Sequence, residues 1–581
     1  MAQQNDLSGL KWVRTLWGLE PRWTSEPDER AIEETVRNTL NISPPCKAKF
    51  LAQGAFNKLY IVESSAKDVV ARVTLPIEPT WKTLSEVATL RWVAQNTSLP
   101  VPRVLAYNAD RSNPIGFEWI IMEKMPGKPW ADAWRDLSMP AKQDVVRQIA
   151  RFCSDTFQNQ MRGIGSLFPD SNSLQGIPLG ALEEANLTTA DTSSSGSQRT
   201  AQTLGGIDSS GVHPKFCVQK MISTSFITAS ASLDVPRGPF QTSRQWLTAR
   251  LDLAEADYRR RLSLVQKRGS GDVSPGTDLP AAGEAEHGSP LEAIGRAKPG
   301  AAEGIHPSSQ VTAEEETPGT TEAMRVATTE QVEGQGDGED REKLHKDTND
   351  TDHLAKYEDG NTNDIGIGEL DQDEDEAGEA SDDDEDTDSE EEDEEEDPED
   401  LGNSLTIVAK LREQLDNFFP CGGPEPEPTV IFHDDLNRHN ILIDEKGALA
   451  AVVDWECISA LPLPVACQYP AFLQGKPNHT EPIKSQYQHD ENGEVNELYW
   501  EHLEFWELTQ LRRFFLDEMR KIQPRWVDIF ASSQRQRDYV LAVEASDDVF
   551  MLRRLLSWLN DLESGAPDVQ GLEERIDSAS L

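Results

Sequence analysis

TVIFHDDLNRHNILIDEKGALAAVVDWE, residues Thr429 to Glu456, decides how this chain reads. A short apolar strand, Thr429 to Phe432, delivers a polar loop, and Asn440 then opens a second strand, Ile441 to Ile443. A turn at Glu445-Lys446-Gly447 reverses the chain, and a third strand, Ala448 to Val453, ends on Asp454. His433, Asp435, Asn440 and Asp454 are thereby held at strand ends. Taken singly, Asp435, Asn437 and Asn440 read as ordinary turn residues. That reading leaves unexplained why apolar strands enter and leave so polar a loop, with another acid where the last strand stops.

Two acids and one amide in this order suit phosphoryl transfer, which asks a protein mainly for positioning and charge neutralisation. One carboxylate orients the attacking hydroxyl, while an amide oxygen and a second carboxylate hold Mg²⁺ against the phosphates. A zinc site built on His433 and His439 is a weaker reading, because no Cys or third His stands at ligand spacing.

The rest of the chain bounds the setting. It has 581 residues, 37% of them hydrophobic, and a formal net charge of -48. Asp371 to Asp400 alone contains 22 acidic residues and no Lys or Arg, which argues against a nucleic-acid partner, whose usual footprint is a basic patch. The six cysteines are scattered without a CxxC pair, as expected of reduced thiols rather than a disulfide framework. The N-terminal residues lack a signal-peptide core, and no apolar run has membrane-spanning length. A soluble, cytoplasmic protein without membrane attachment is expected, with a nuclear one as the alternative.

Composition divides the chain. Residues 1–45 are a polar extension with one helix expected over Asp28 to Leu40. Residues 46–127 form a β-rich N-lobe of five strands, interrupted by a helical stripe of Leu84, Val87, Ala88, Leu90 and Val93. Residues 128–268 begin a helical C-lobe, with a flexible loop at 171–210. Residues 269–402 are rich in Gly, Pro, Ser, Thr and acid and poor in aromatics, which predicts a disordered acidic insertion. Helical pattern returns over 403–565, and 566–581 is a tail. The lobe before the insertion has no carboxylate loop, and the part after it has no glycine loop. The two therefore complete one domain, and loop-closure entropy grows slowly enough with length to allow the interruption.

Other residues bear on chemistry. Gly54, in QGAFNKLY, stands where a glycine between strands lets backbone amides approach a phosphate; the plain alternative is a hairpin turn. Arg72 is a charge in an apolar strand, VVARV, and needs a partner if buried; Glu86 on the following helix is the candidate. Met122 to Gly127 joins the lobes, and a crevice there is a usual ligand position. Glu494, Glu497, Glu501, Glu504 and Glu507 recur at helical spacing. A solvated helix face is the simpler account, and an acidic wall for a cationic small-molecule substrate is the functional one.

The segments His433 to Asn440 and Val453 to Glu456 resemble the signature of the aminoglycoside phosphotransferase family, kinase-like enzymes related to choline and fructosamine kinases. GAFNKLY, ARVTLP, KTLSEVATLRWV and NPIGFEWIIMEKMPG look like its fungal branch. The resemblance implies an α+β, two-lobed protein-kinase-like fold, with ATP and Mg²⁺ as cofactors and a small-molecule acceptor. By position it implies Asp435 as catalytic base and His433 as a brace of its loop. It implies Asn440 and Asp454 as metal ligands, and Gly54, Arg72, Glu86, Glu123 and Met125 around the nucleotide. Arg72 stands where most active members carry Lys, and Asp434 where Gly is common; Arg and Lys are not interchangeable. These departures motivate the alternative of a non-catalytic kinase-fold binding protein. The acidic tract motivates another, an interaction protein that binds basic partners.

Overall fold

Helix and strand formation in the N-lobe follows local chemistry. The structure, a computed structural model, describes residues 8–15, 18–65, 67–170, 202–203, 215–228, 235–269, 396–423, 425–489, 493–566 and 568–578. Strands β1 (Leu10–Thr15) and β2 (Gly18–Trp23) pair as a hairpin within the extension, where the sequence suggested only a polar lead-in. Helix α1 (Glu29–Leu40) starts where Asp28 caps it, the carboxylate accepting from the Arg30 N–H at 2.9 Å, and stops at Asn41, whose φ of 53° is left-handed.

Strands β3 (Cys46–Gln53), β4 (Asn57–Ser64) and β5 (Val69–Thr74) form an antiparallel meander. Helix α2 (Trp81–Asn96) interrupts it before β6 (Val104–Asn108) and β7 (Glu118–Glu123). All six residues of β5 are buried, because β4 and β7 flank it. Helix α2 is buried over most of its surface, yet it carries Lys82, Thr83, Ser85, Glu86 and Thr89 inside. Buried polar groups need partners, and those of α2 lead to the site.

Gly127 lets the chain cross into the second lobe. Its φ is +100°, and a Cβ there would sit 2.4 Å from the Ile443 carbonyl oxygen. The close approach allows β8 (Lys128–Pro129) to pair with β14 (Ile441–Ile443), itself paired with β15 (Leu449–Val452). Helices α3 (Trp130–Ala133) and α4 (Met139–Gln158) follow β8.

A five-stranded sheet in the order β12-β10-β16-β13-β9 underlies the loop that carries Asp435. Its strands are β9 (Met161–Arg162), β10 (Gly165–Pro169), β12 (Phe216–Gln219), β13 (Pro428–Phe432) and β16 (Ser459–Pro462). Strand β11 (Gln202–Thr203) pairs with β6, making the N-lobe sheet six-stranded.

Helices α5 (Thr224–Thr228), α6 (Ser243–Gly269), α7 (Pro398–Phe418), α8 (Leu463–Ala466), α9 (Glu497–Ile522), α10 (Pro524–Ser532), α11 (Gln534–Glu544), α12 (Leu552–Glu563) and α13 (Leu572–Ser578) complete the C-lobe. This is the α+β, two-lobed kinase-like arrangement. One hydrophobic core runs from Val70, Ile120 and Met122 in the N-lobe to Val430, Ile441 and Trp455 in the C-lobe.

The expected flexible loop at 171–210, apart from β11, and the expected disordered insertion up to residue 395 lie outside the described residues. Helical structure resumes at Pro398, a few residues earlier than the pattern suggested. Asp397 caps α7, and Glu399 and Asp400 sit in its first turn, so the last acids of the tract complement the helix dipole. The ends flanking the insertion meet: Arg261 of α6 pairs with Glu396 at 2.5 Å, and Arg412 of α7 with Asp252 at 2.8 Å. Among the described residues no helix is long and apolar enough to cross a membrane.

Candidate active site

Arg72 and Thr74 lie two residues apart on β5 and so share one face of the sheet. Asn57 of β4 stands opposite Thr74 on that face and accepts its hydroxyl at 2.8 Å. Helix α2 brings Lys82 and Glu86, one turn apart, over the same face. The Arg72 Nε lies 3.1 Å from Glu86, and its Nη2 lies 2.8 Å from Asp454 and 3.2 Å from Glu456. Lys82 pairs with Glu456, donates to the Asn57 side-chain Oδ1 at 3.0 Å and approaches Glu86 at 3.8 Å. The Asn57 amide donates to Glu456 at 2.7 Å. Two cations and three carboxylates thus share one nearly dry cluster, in which the Lys82 side chain is 1% exposed and that of Glu86 2%.

Burial opposes every charge in this cluster, and mutual attraction decides the outcome. Burial pulls Arg72 down, but Glu86, Asp454 and Glu456 hold it well above its ordinary value. Lys82 is likewise raised against burial by Glu456 and Glu86. Burial pushes Glu456 up, yet Lys82, Arg72 and two hydrogen bonds bring it down to about 2. In Glu86 burial wins and the pKa is raised, against the pull of Arg72 and Lys82.

Asp454 arrives here because the turn after β15 is fixed at both ends. Asp454 and Cys457 have φ of 61° and 57°, a left-handed conformation that Asp tolerates better than most residues. Between them Trp455 is buried, donates its Nε1–H to the Val452 carbonyl at 3.0 Å, and packs edge-on against Phe152 and His433. His433 is buried, and neither ring nitrogen makes a hydrogen bond of good geometry. It therefore supports the loop through its ring on Trp455, centroids 4.8 Å apart. Burial lowers its pKa to about 4, against the pull of Asp454 and the Val453 backbone, so the ring is neutral.

The loop after β13 holds Asp435 by local bonds. Asn437 donates to one carboxylate oxygen at 2.7 Å and Asn440 to the other at 2.9 Å, and the Asn440 amide also reaches the Asp435 carbonyl. The Val453 N–H donates to the Asn440 carbonyl at 2.9 Å, which ties this loop to the strand that ends on Asp454. Partial burial and the charge of Asp454 push Asp435 up, partly offset by the two amides. Asp434 is pushed up to about 6 by burial and by its neighbours Asp435 and Glu544.

Gly54 lies in the β3–β4 turn, its N–H donating to the Asn57 carbonyl at 2.9 Å, and a Cβ there would meet nothing within 4 Å. Glu123 ends β7, where it pairs with Lys67 and stands 3.8 Å from Arg103. With Met125, Lys67, Lys124 and Pro126 it lines a cavity of about 470 Å³ at the lobe junction. The α9 acids are not a free wall: Glu497 pairs with Arg135, Glu504 with Arg438 at 2.5 Å, and Glu507 with Lys142 at 2.5 Å. Arg438 and Lys142 both lie over the ring of Trp134, at 4.5 and 4.3 Å from its centroid. All six cysteines are free.

Arg72, Glu86 and Asp454 are brought into contact, and Asp435 and Asn440 into a second group one strand away. Glu123 and Met125 lie at the hinge, and Gly54 lies in the β3–β4 turn, joined to the first group only through its N–H bond to the Asn57 backbone. Sequence reasoning missed Lys82, Asn57, Thr74 and Glu456 as members of the cluster. Lys82 carried a signal: it stands one helical turn before Glu86 in a segment otherwise apolar enough to be buried.

A profile of the phosphotransferase enzyme family matches residues 47–203 and 362–462. Over those residues the chain is similar to that family. It is 36% identical over 121 residues to a subtelomeric hrmA-associated cluster protein of Aspergillus fumigatus, covering 20% of this chain and 24% of that one. It is 29% identical over 148 residues to altered inheritance of mitochondria protein 9, mitochondrial, of Meyerozyma guilliermondii, covering 24% of each chain. The chain therefore spans about a quarter of the length of these relatives. The crystal structure of aminoglycoside phosphotransferase APH(4)-Ia superposes with a TM-score of 0.35 at 10% identity, over 92% of this chain and 99% of that one, too slight a likeness to add to the argument.

Proposed function

We propose that this protein is an ATP- and Mg²⁺-dependent phosphotransferase that phosphorylates a hydroxyl of a small molecule. The observation that carries the reading is the contact of Asp454 with Arg72 and, through it, Glu86, at the end of the hairpin that also presents Asp435 and Asn440. In this reading Asp435 orients the acceptor hydroxyl and takes its proton. A base is most effective with a pKa near working pH, and the upward shift of Asp435 is in that direction. Asn437 and Asn440 fix its carboxylate. Arg72 neutralises phosphate charge, oriented by Glu86, and the cavity beside Glu123 and Met125 takes the base.

The donor chemistry suits magnesium. Mg²⁺ is held by hard oxygens, commonly one or two carboxylates together with substrate phosphates and waters, and Asp454 and Asn440 offer a carboxylate and an amide oxygen. Among the described residues no group of three or more His, Cys, Asp or Glu is placed to hold a metal unaided. When bound, the ion would neutralise charge on the transferred group.

The test is a screen of hydroxyl-bearing metabolites for stimulated ATP turnover, repeated with Asp435→Asn. Turnover stimulated by an acceptor and abolished in the variant is expected. Turnover that survives the substitution unchanged would sink the assignment of Asp435.

One observation favours a second reading, a kinase-fold protein that binds without catalysing. The Arg72 guanidinium is engaged by three carboxylates at once, and Asp454 must leave it to meet a metal. On this reading no acceptor stimulates turnover, although nucleotide binds.

A further inference from the structure

The cluster contains a cation that the phosphotransferase reading does not use. Lys82 comes from α2, not from a strand, and its ammonium is almost completely buried. It contacts three groups that belong to three different pieces of the site. Glu456 follows the metal-loop Asp454 by two residues; Asn57 closes the β3–β4 turn, since its carbonyl receives the Gly54 N–H; and Glu86 is the helix carboxylate that faces Arg72.

We propose that Lys82 is a positioning residue that holds the Gly54 turn, helix α2 and the Asp454 loop in one register and lets Arg72 turn toward phosphate. The inference rests on the phosphotransferase reading and deepens it.

The argument is one of charge. Arg72 and Lys82 share Glu86, Asp454 and Glu456. When a dication takes Asp454, the Arg72 Nη2 loses that partner but still lies 3.2 Å from Glu456. Lys82 also pairs with Glu456, so it competes with Arg72 for the carboxylate that would otherwise keep the guanidinium turned away from the nucleotide. Without Lys82, Glu456 and Glu86 would have Arg72 as their remaining cation, and a buried carboxylate left short of a partner binds the nearest one tightly. The Lys82 ammonium would then matter to nucleotide affinity without touching nucleotide. Asn57 makes the link mechanical, since its side chain donates to Glu456 and accepts from Lys82 and Thr74, and its backbone anchors the turn that begins at Gly54.

The experiment is calorimetric titration of the full chain with the non-hydrolysable analogue AMP-PNP in the presence of Mg²⁺, for wild type, Lys82→Met, Lys82→Arg and Lys82→Met/Glu456→Gln. Thermal unfolding without ligand confirms that each variant is folded. Lys82→Met is expected to weaken analogue binding at least tenfold. Lys82→Arg, which keeps the charge, should recover most of it. The double variant should also recover affinity relative to Lys82→Met, because removing the Glu456 charge frees Arg72; a merely structural role for Lys82 would make the double variant worse. Lys82→Met binding within twofold of wild type, or a double variant weaker than Lys82→Met, would overturn the inference. If Lys82→Met does not fold, Lys82→Arg and Glu456→Gln alone still decide: the first should bind like wild type and the second at least as tightly. Absence of binding by the folded wild-type protein would instead count against the phosphotransferase reading, so the two failures are distinguishable.

Discussion

Asp435 and Asp454 stand at the two ends of one β-hairpin, yet different physics holds them. Asp435 sits in a solvent-reached loop, bonded to Asn437 and Asn440, neighbours two and five residues along the chain. Asp454, itself 35% exposed, is held by the buried Arg72, which lies 382 residues away in sequence and belongs to a cluster that also joins Asn57 to Glu456 across 399 residues. The first half of the site is assembled by turn chemistry and survives local rearrangement. The second exists only when both lobes are folded against each other, and every charge in it depends on the others. A loop of the first kind can tune a base; a cluster of the second kind reports whether the lobes are closed.

The largest effect expected on this contrast is kinetic. Asp435→Asn should lower turnover about 10²–10⁴-fold while leaving nucleotide affinity and thermal stability near wild type, because the side chain is exposed and the asparagine can keep one of its amide partners. The stability counterpart lies in the other half. Arg72→Met should destabilise the fold by about 3–5 kcal/mol, the usual consequence of leaving buried carboxylates uncompensated, as measured by urea unfolding. If both variants lose stability equally, the distinction between the halves fails.

A smaller, pH-dependent effect separates the lobes. Glu118 of β7 is buried where it accepts from the Thr80 N–H at 2.6 Å and the Thr83 hydroxyl, and burial raises it to about 7. The folded N-lobe therefore holds a proton that the unfolded chain releases, and this contribution to stability is present at low pH and lost as pH rises toward 7. His433 behaves oppositely: its folded pKa of about 4 lies below the unfolded value, so its contribution is present above about pH 6.5 and lost as pH falls toward 4. Relative to wild type, Glu118→Gln should gain stability between about pH 4.5 and 7, and His433→Phe should gain it between about pH 6.5 and 4, each by about 3 kcal/mol at most. Denaturant melts across that range check both signs. Gains that change with pH in the same direction for the two variants would contradict the burial argument.

The smallest effect concerns Gly54. Open space around its Cβ position and an ordinary φ predict that Gly54→Ala changes unfolding free energy by less than about 1 kcal/mol, with stabilisation the expected direction. A marked fall in nucleotide affinity in that stable variant would show that the backbone of the turn is used for approach to phosphate.

The same contrast explains what the sequence disclosed. Asp435, Asn437 and Asn440 are bonded within a few residues, so their spacing already contained the geometry. The strands around them and the buried character of β5 were equally legible, because both rest on local pattern. The Arg72–Glu86 pair could be named because a charge in an apolar strand demands a partner and the next helix offers one. Glu456 and Asn57 could not, because their meeting depends on how two distant strands and a helix converge, and nothing local marks either residue. Hairpin β1–β2 was also hidden: it is short and pairs with itself rather than with a sheet whose pattern would announce it. The α9 acids looked like a repeating polar face, and only packing against α4 and the Asp435 loop showed that Lys142 and Arg438 neutralise two of them.

The most direct test of the account is Mg²⁺-dependent stabilisation by ATP, measured as the shift in thermal unfolding midpoint for wild type and Asp454→Ala. The account predicts an upward shift for wild type that requires both Mg²⁺ and ATP and is lost in Asp454→Ala. No shift in wild type, or an undiminished one in the variant, would contradict the claim that Asp454 and Arg72 form a nucleotide site.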